Sequence, residues 1–171
     1  MDEARSVRDA MSAEEILSAA RALIAGERNL VANCANVASL LWHGVPRLNW
    51  AGFYLFEGGE LVLGPFQGKP ACTRIALGRG VCGTAAAERR TIVVPDVRRF
   101  PAHIACDGDS RAELVVPLLS GGTLLGVLDL DSPEPGRFGP AEQALAEAAA
   151  ALVVSAERDA PASTPRGAGE A

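Results

Sequence analysis

The sequence predicts an α+β fold: a central antiparallel sheet flanked by N- and C-terminal helices. Apolar residues recur at helical spacing near both ends of the chain, whereas most of the middle alternates with period two. Gly58-Gly59 and Gly121-Gly122 each interrupt an alternating run in the manner of a two-residue hairpin turn. Strands joined by such turns are antiparallel neighbours, and a layer of helices covers one face of their sheet. The other face must then meet loops, a partner or a ligand.

Taken in order, the first helix is expected over 13–27, where Ile16, Ala20, Leu23 and Ile24 form the apolar stripe. Ser12 followed by Glu15 supplies a capping box at its start. A second helix runs from 30 to about 42, with Leu30, Cys34, Val37 and Leu41 on one stripe, so Cys34 reads as core packing. "LNWAGFYLFEGGELVLGPF" makes two paired strands, with Trp50, Gly52 and Tyr54 on one face and Ala51, Phe53 and Leu55 on the other. "ACTRIAL" reads as a short strand whose apolar side is Ala71, Thr73, Ile75 and Leu77, leaving Cys72 beside the charge of Arg74. "GRGVCGTAAAERR" passes from Gly-rich loop to Ala-rich helix near Cys82, and "TIVVP" is a strand again. "PAHIACDGDSRAE" has neither periodicity and reads as a loop; it is followed by a second hairpin in "ELVVPLLSGGTLLGVLDLDS". The last helix covers about 140–157, with Ala144, Leu145, Ala148 and Leu152 facing the core.

The chain's 171 residues, 49% of them hydrophobic, suffice for one well-buried core. A single folded domain is therefore expected over 13–158, between an N-terminal extension at 1–12 and a disordered tail at 159–171. A net charge of -5 argues against nucleic acid or an anionic membrane surface as the main partner. The charged opening "MDEARSVRDAMSAEE" is unlike a signal peptide, and no apolar run has the length of a membrane span, so the expected location is cytoplasmic. In a reducing compartment each of the four cysteines is core filler, a metal ligand or a redox thiol.

Three cysteines occupy places that core packing would not choose. Cys72 shares a strand face with Arg74, Cys106 lies in a polar loop between His103 and Asp107, and Cys82 opens a helix. At a helix N-terminus the dipole favours a thiolate, a bias to which Arg79 adds. Asp129 and Asp131, two apart in an apolar strand, project from one face together with Val127. Carboxyls that close resist joint ionisation, so one can keep a proton near neutral pH and serve as an acid. Glu113, just after the Cys106 loop, is placed to join them; the plainer alternative is a solvated strand face. Trp50 and Tyr54 flank Gly52 and would make an aromatic trough suited to a thioether or methyl group. A zinc site from Cys72, Cys82, His103 and Cys106 lacks the close paired spacing of structural zinc ligands, so no metal is expected. "GRGVCG" lacks the lysine of a phosphate loop.

The segments "NWAGFYL", "LGPFQGKPACTRI", "GRGVCGTA", "HIACD" and "GVLDLDS" together resemble the free methionine-(R)-sulfoxide reductase family, enzymes built on a single GAF domain. The resemblance runs from roughly 14 to 153 and implies a six-stranded antiparallel sheet between helical layers. It implies that Cys106 attacks the substrate, that Cys72 is the main resolving thiol and that Cys82 is a third redox thiol. Trp50 and Tyr54 would line the pocket, with Glu113, Asp129 and Asp131 around the sulfoxide and amino group. It further implies thioredoxin as the external reductant, no cofactor beyond the cysteines, and is compatible with a homodimer. Two features depart from the family pattern: Arg111 and Ala112 stand in the segment where a second small hydroxyl residue is usual, and Cys34 replaces an aliphatic residue. The competing expectation is a non-catalytic GAF module that senses a small molecule or oxidants through the same thiols; a thiol and carboxylate set argues for the enzyme.

Overall fold

The computed structural model describes residues 10–100 and 108–158. Two helices open the fold, α1 (Ala13–Ile24) and α2 (Leu30–Gly44). The Ser12 side chain accepts from the Glu15 backbone N–H while Glu15 accepts from that of Ser12, closing the expected capping box. α1 ends at Ile24 rather than near Glu27, and Gly26 follows with φ +78 in a turn. Leu23, expected in the stripe, is exposed; Ile16, Ala20 and Ile24 carry the contact. α2 runs two residues past the expected Trp42, its last turn closed by the Val45 N–H on the Leu41 carbonyl.

The strands are β1 (Trp50–Glu57), β2 (Glu60–Gly68), β3 (Arg74–Ala76), β4 (Ile92–Val94), β5 (Ala112–Ser120) and β6 (Thr123–Ser132). They form one antiparallel sheet in the order β3-β2-β1-β6-β5-β4, and both hairpins turn at the expected Gly-Gly pairs. The sixfold strand count and the α+β layering are as expected. Between β3 and β4 lies α3 (Gly80–Glu88), and α4 (Pro140–Arg158) closes the domain.

Strand alternation sorts the side chains into two cores. Ala51, Phe53, Leu114, Val116, Leu128 and Leu130 point to the face covered by α1, α2 and α4. Trp50, Tyr54, Val115 and Val127 point to the other face, where α3 packs with Val81, Ala85 and Ala86. That second face is thus covered partly by a helix, where the sequence suggests loops, a partner or a ligand. Cys34 is fully buried in the helical core as expected.

Two alternations depart from expectation. Only Arg74–Ala76 pairs as β3, so Cys72 precedes the strand; Thr73 and Leu77 are exposed and Ile75 alone of the expected apolar side is buried. In α4 the buried stripe is Leu145, Ala146, Ala149, Ala150, Val153 and Val154, rotated from the expected set so that Ala144 faces solvent. In an alanine-rich helix small apolar residues lie all round the axis, and packing rather than pattern selects the face. Residues 159–171 and the first nine lie outside the described residues, as does the tail expected to be disordered.

Candidate active site

Strand register assembles the site. β6 lies between β1 and β5, so Trp50 pairs with Asp131, and Asp131 in turn with Glu113; one row across three strands carries an aromatic and two acids. In the next row on this face Asp129 sits between Gly52 and Val115. Trp50, Tyr54, Cys82, Glu113, Asp129 and Asp131 all line one pocket between the sheet and the start of α3. Strand residues as far apart in the chain as Trp50 and Asp131 thereby meet through hydrogen-bonded ladders rather than through flexible loops.

The aromatic wall is a stack. The Trp50 ring lies 5.4 Å from Phe66 with an interplanar angle of 10° and 5.8 Å from Tyr54 at 22°. Its indole Nε1 donates to the Lys69 carbonyl at 3.2 Å, which fixes the ring's edge. Gly52 makes the arrangement possible: a Cβ there would stand 2.7 Å from Trp50 Cη2. Phe66 was not singled out from the sequence, although it lies in the alternating run. Its partnership with Trp50 depends on the irregular register between Gly52 and Tyr54, which period two alone does not reveal.

Two of the acids are not on a solvated face, while Asp131 is half-buried. Glu113 is 6% exposed and Asp129 5%. Burial first, then the charges of Asp129 and Asp131, push the Glu113 carboxyl well above the ordinary carboxylate range, against a lowering hydrogen bond from Cys82. Burial likewise lifts Asp129 to about 7. The two share one low-dielectric pocket, so a proton resides there near neutral pH.

Cys82 corrects the expectation of a thiolate. It is 4% exposed, its Sγ donates to Glu113 Oε1 at 3.8 Å, and a carboxyl oxygen of Asp129 lies within 4.8 Å of the same sulfur. Burial, followed by the charges of Asp129 and Glu113, drives its pKa far up, and these outweigh the start of α3 and Arg79. Two acids distant in sequence face the same sulfur and reverse the bias of the helix terminus. Cys72 is half-buried on the irregular segment before β3, packed with Ala71 against the core on the pocket side. Cys106, His103 and Asp107 lie outside the described residues.

Burial ranks the thiols for reagents. Cys34, whose thiol burial pushes up to about 12, and Cys82 are expected to resist iodoacetamide in the native reduced protein, while Cys72 is alkylated. Peptide mass mapping before and after denaturation checks this; native labelling of Cys82 ahead of Cys72 contradicts it.

The Arg111 departure is accommodated away from the pocket. Its guanidinium pairs with Asp96 at 3.3 Å, and its backbone is held by Ser132 and Val97, while Ala112 packs into the helical core. Ser110, another residue the sequence did not single out, lines the pocket and accepts from Asn49 Nδ2 at 2.9 Å. Among the described residues no helix is long and apolar enough to cross a membrane.

Comparison with known proteins agrees with this architecture. The GAF domain family matches residues 12–156. The free methionine-R-sulfoxide reductase of Saccharomyces cerevisiae is 45% identical over 148 residues, covering 82% of each chain. The Escherichia coli protein of that name is 53% identical over 117 residues, covering 68% of this chain and 71% of that one. The Neisseria meningitidis free methionine-R-sulfoxide reductase, solved in complex with its substrate, superposes with a TM-score of 0.82 at 43% identity, covering 85% and 88% of the two chains. At such identity over most of its length, this chain belongs to the free methionine-(R)-sulfoxide reductase family of single-GAF-domain oxidoreductases.

Proposed function

We propose that this protein reduces free L-methionine-(R)-sulfoxide to L-methionine by thiol chemistry. The observation that carries the proposal is the buried Glu113–Asp129 pair, held partly protonated in the same pocket as the Trp50–Tyr54 wall. The wall receives the methyl thioether end of the substrate, since sulfur and methyl groups pack well on aromatic rings. A sulfoxide sulfur becomes electrophilic when its oxygen is protonated or hydrogen-bonded, and a neutral carboxyl supplies that proton.

In this reading the Cys106 thiolate attacks the activated sulfur. The oxygen passes to the Cys106 sulfur as a sulfenic acid and methionine leaves; the substrate sulfur gains two electrons and the cysteine sulfur loses two. The Cys72 thiol then condenses with the sulfenic acid: its sulfur bonds the Cys106 sulfur, the S–O bond breaks, and the thiol proton leaves with the hydroxyl as water, giving a disulfide. A thioredoxin-type dithiol reduces that disulfide by exchange, closing the cycle with no organic cofactor or metal taking part. Carboxylate charge remaining on Asp131 pairs with the free α-ammonium, which a residue inside a peptide lacks, so the pocket prefers the free amino acid. Cys82, buried and protonated, donates a hydrogen bond to Glu113 in the resting enzyme.

The test is NADPH oxidation coupled through thioredoxin and thioredoxin reductase, with the free R and S sulfoxides and a peptide-bound sulfoxide compared. Turnover of the free R form alone is expected, falling to background in Cys106→Ser. Cys72→Ala should retain a single turnover without recycling; unchanged recycling would transfer the resolving role to Cys82. Absence of turnover on the free R form would overturn the proposal.

A further inference from the structure

Beyond their part in the reduction, two of the pocket's acids combine with Cys82 into a set of metal donors. Cys82 Sγ and one carboxylate oxygen each from Glu113 and Asp129 lie within 4.8 Å of one another. All three residues are buried, and they come from α3, β5 and β6, elements packed together as one core. Zinc bonds of about 2.3 Å to sulfur and about 2.0 Å to oxygen put tetrahedral ligand atoms about 3.5 Å apart. The Cys82 Sγ to Glu113 Oε1 distance is 3.8 Å, so side-chain rotation of a fraction of an ångström brings that pair to ligand spacing.

A second observation is independent of this spacing. Asp129 Oδ1 is enclosed by the protein and has no hydrogen-bond partner among the described residues, although Asp129 is only 5% exposed. A buried carboxylate oxygen without a partner is costly, and a cation is one of the few groups that can satisfy it from within an acid-lined pocket. The remaining coordination position would face the pocket, as in zinc sites that keep one position for water or substrate.

We infer that Cys82, Glu113 and Asp129 form a site for one zinc-class divalent cation, and that its occupancy shuts off reduction of the sulfoxide. Sulfur with two carboxylates selects a borderline-soft ion over magnesium or calcium, which require all-oxygen shells. A bound ion takes up the same carboxyl oxygens that hold the proton for the sulfoxide, and it stands where the sulfoxide oxygen must approach. Binding is independent of the reaction proposed above, whereas the inhibition rests on it.

Full-length protein, reduced and stripped with chelator, is titrated with Co²⁺ to read the sulfur-to-cobalt charge-transfer band. Zinc affinity is then read by competition with a chromophoric chelator. One ion per chain is expected. Cys82→Ser should lose the band, and Asp129→Asn and the isosteric Glu113→Gln should each weaken zinc binding by more than the roughly 10- to 100-fold that loss of an outer-shell partner costs, with circular dichroism showing each variant folded. Cys72→Ser and Cys106→Ser should keep both band and stoichiometry. A band that survives Cys82→Ser, or that disappears in Cys72→Ser or Cys106→Ser, overturns the site, as does the lack of any band. Inhibition by zinc should track the binding curve and reverse with chelator; a loaded enzyme at full activity overturns the inhibitory role. Binding with this variant pattern in a protein devoid of reductase activity would leave the site standing and remove the reading of the reaction instead.

Discussion

Glu113→Gln is expected to lower kcat for free methionine-(R)-sulfoxide by about 10²- to 10⁴-fold, the usual worth of a positioned general acid. Glutamine keeps the size and a hydrogen-bond donor but cannot give up a proton, so the loss isolates proton transfer from packing. The chelator-treated wild type should show the same dependence as a pH effect. Its active form carries a proton on the Glu113–Asp129 pair, and that proton is lost as pH rises through about 7, so kcat falls on the alkaline side. Stability has the same sign. A carboxyl raised by burial stabilises the fold fully below its unfolded pKa, and that contribution is lost as pH climbs through the folded value, here from about 4 to about 7. Wild type should therefore melt lower at pH 7.5 than at pH 5, and Asp129→Asn should flatten that difference while impairing activity. Equal activity of Glu113→Gln and wild type, or a melting temperature that rises across this range and does so equally in Asp129→Asn, would contradict the assignment.

That pair also shows which parts of the molecule are legible in the sequence. Hairpins at Gly58-Gly59 and Gly121-Gly122 were readable because turn chemistry is local, and alternation then placed Trp50 with Tyr54 and Asp129 with Asp131 on the correct faces. Those assignments needed only the pleat of a strand. The environment of Cys82 was not readable: its sulfur meets Glu113, 31 residues on, and Asp129, beyond the second hairpin, so the register of two strands reverses what the helix start alone implies. Alternation places Cys72 in a strand, but pairing with β2 engages only Arg74–Ala76. Ala144 in α4 shows a different failure, because alanine on every side of a helix leaves the buried face to be chosen by what it packs against. Phe66 combined both: a common aromatic in a strand became a functional wall through one irregular register step.

That step gives the second large effect. Gly52→Ala is expected to destabilise the protein by about 1–3 kcal/mol, the usual cost of overpacking, lowering Tm by about 2–4 °C for each kcal/mol. The added Cβ would overlap Phe66 Cβ and stand 2.8 Å from Phe66 Cα and 2.7 Å from the Trp50 ring. The Trp50 ring can swing away, at the expense of the pocket wall, but Phe66 Cα belongs to the neighbouring strand, so β1 and β2 must also part. Two consequences distinguish this account from a general loss of packing. Truncating the ring in Phe66→Ala should leave most of the Gly52→Ala cost in place, since the Cα and Cβ atoms that collide remain. At a temperature where Gly52→Ala is fully folded, KM for the free sulfoxide should rise more than kcat falls, because the thioether wall is displaced while the acids of β5 and β6 are not. Thermal melts of the single and double variants with steady-state kinetics decide the matter; full rescue by Phe66→Ala would show that the ring stack, and not the approach of two backbones, makes glycine necessary at this position.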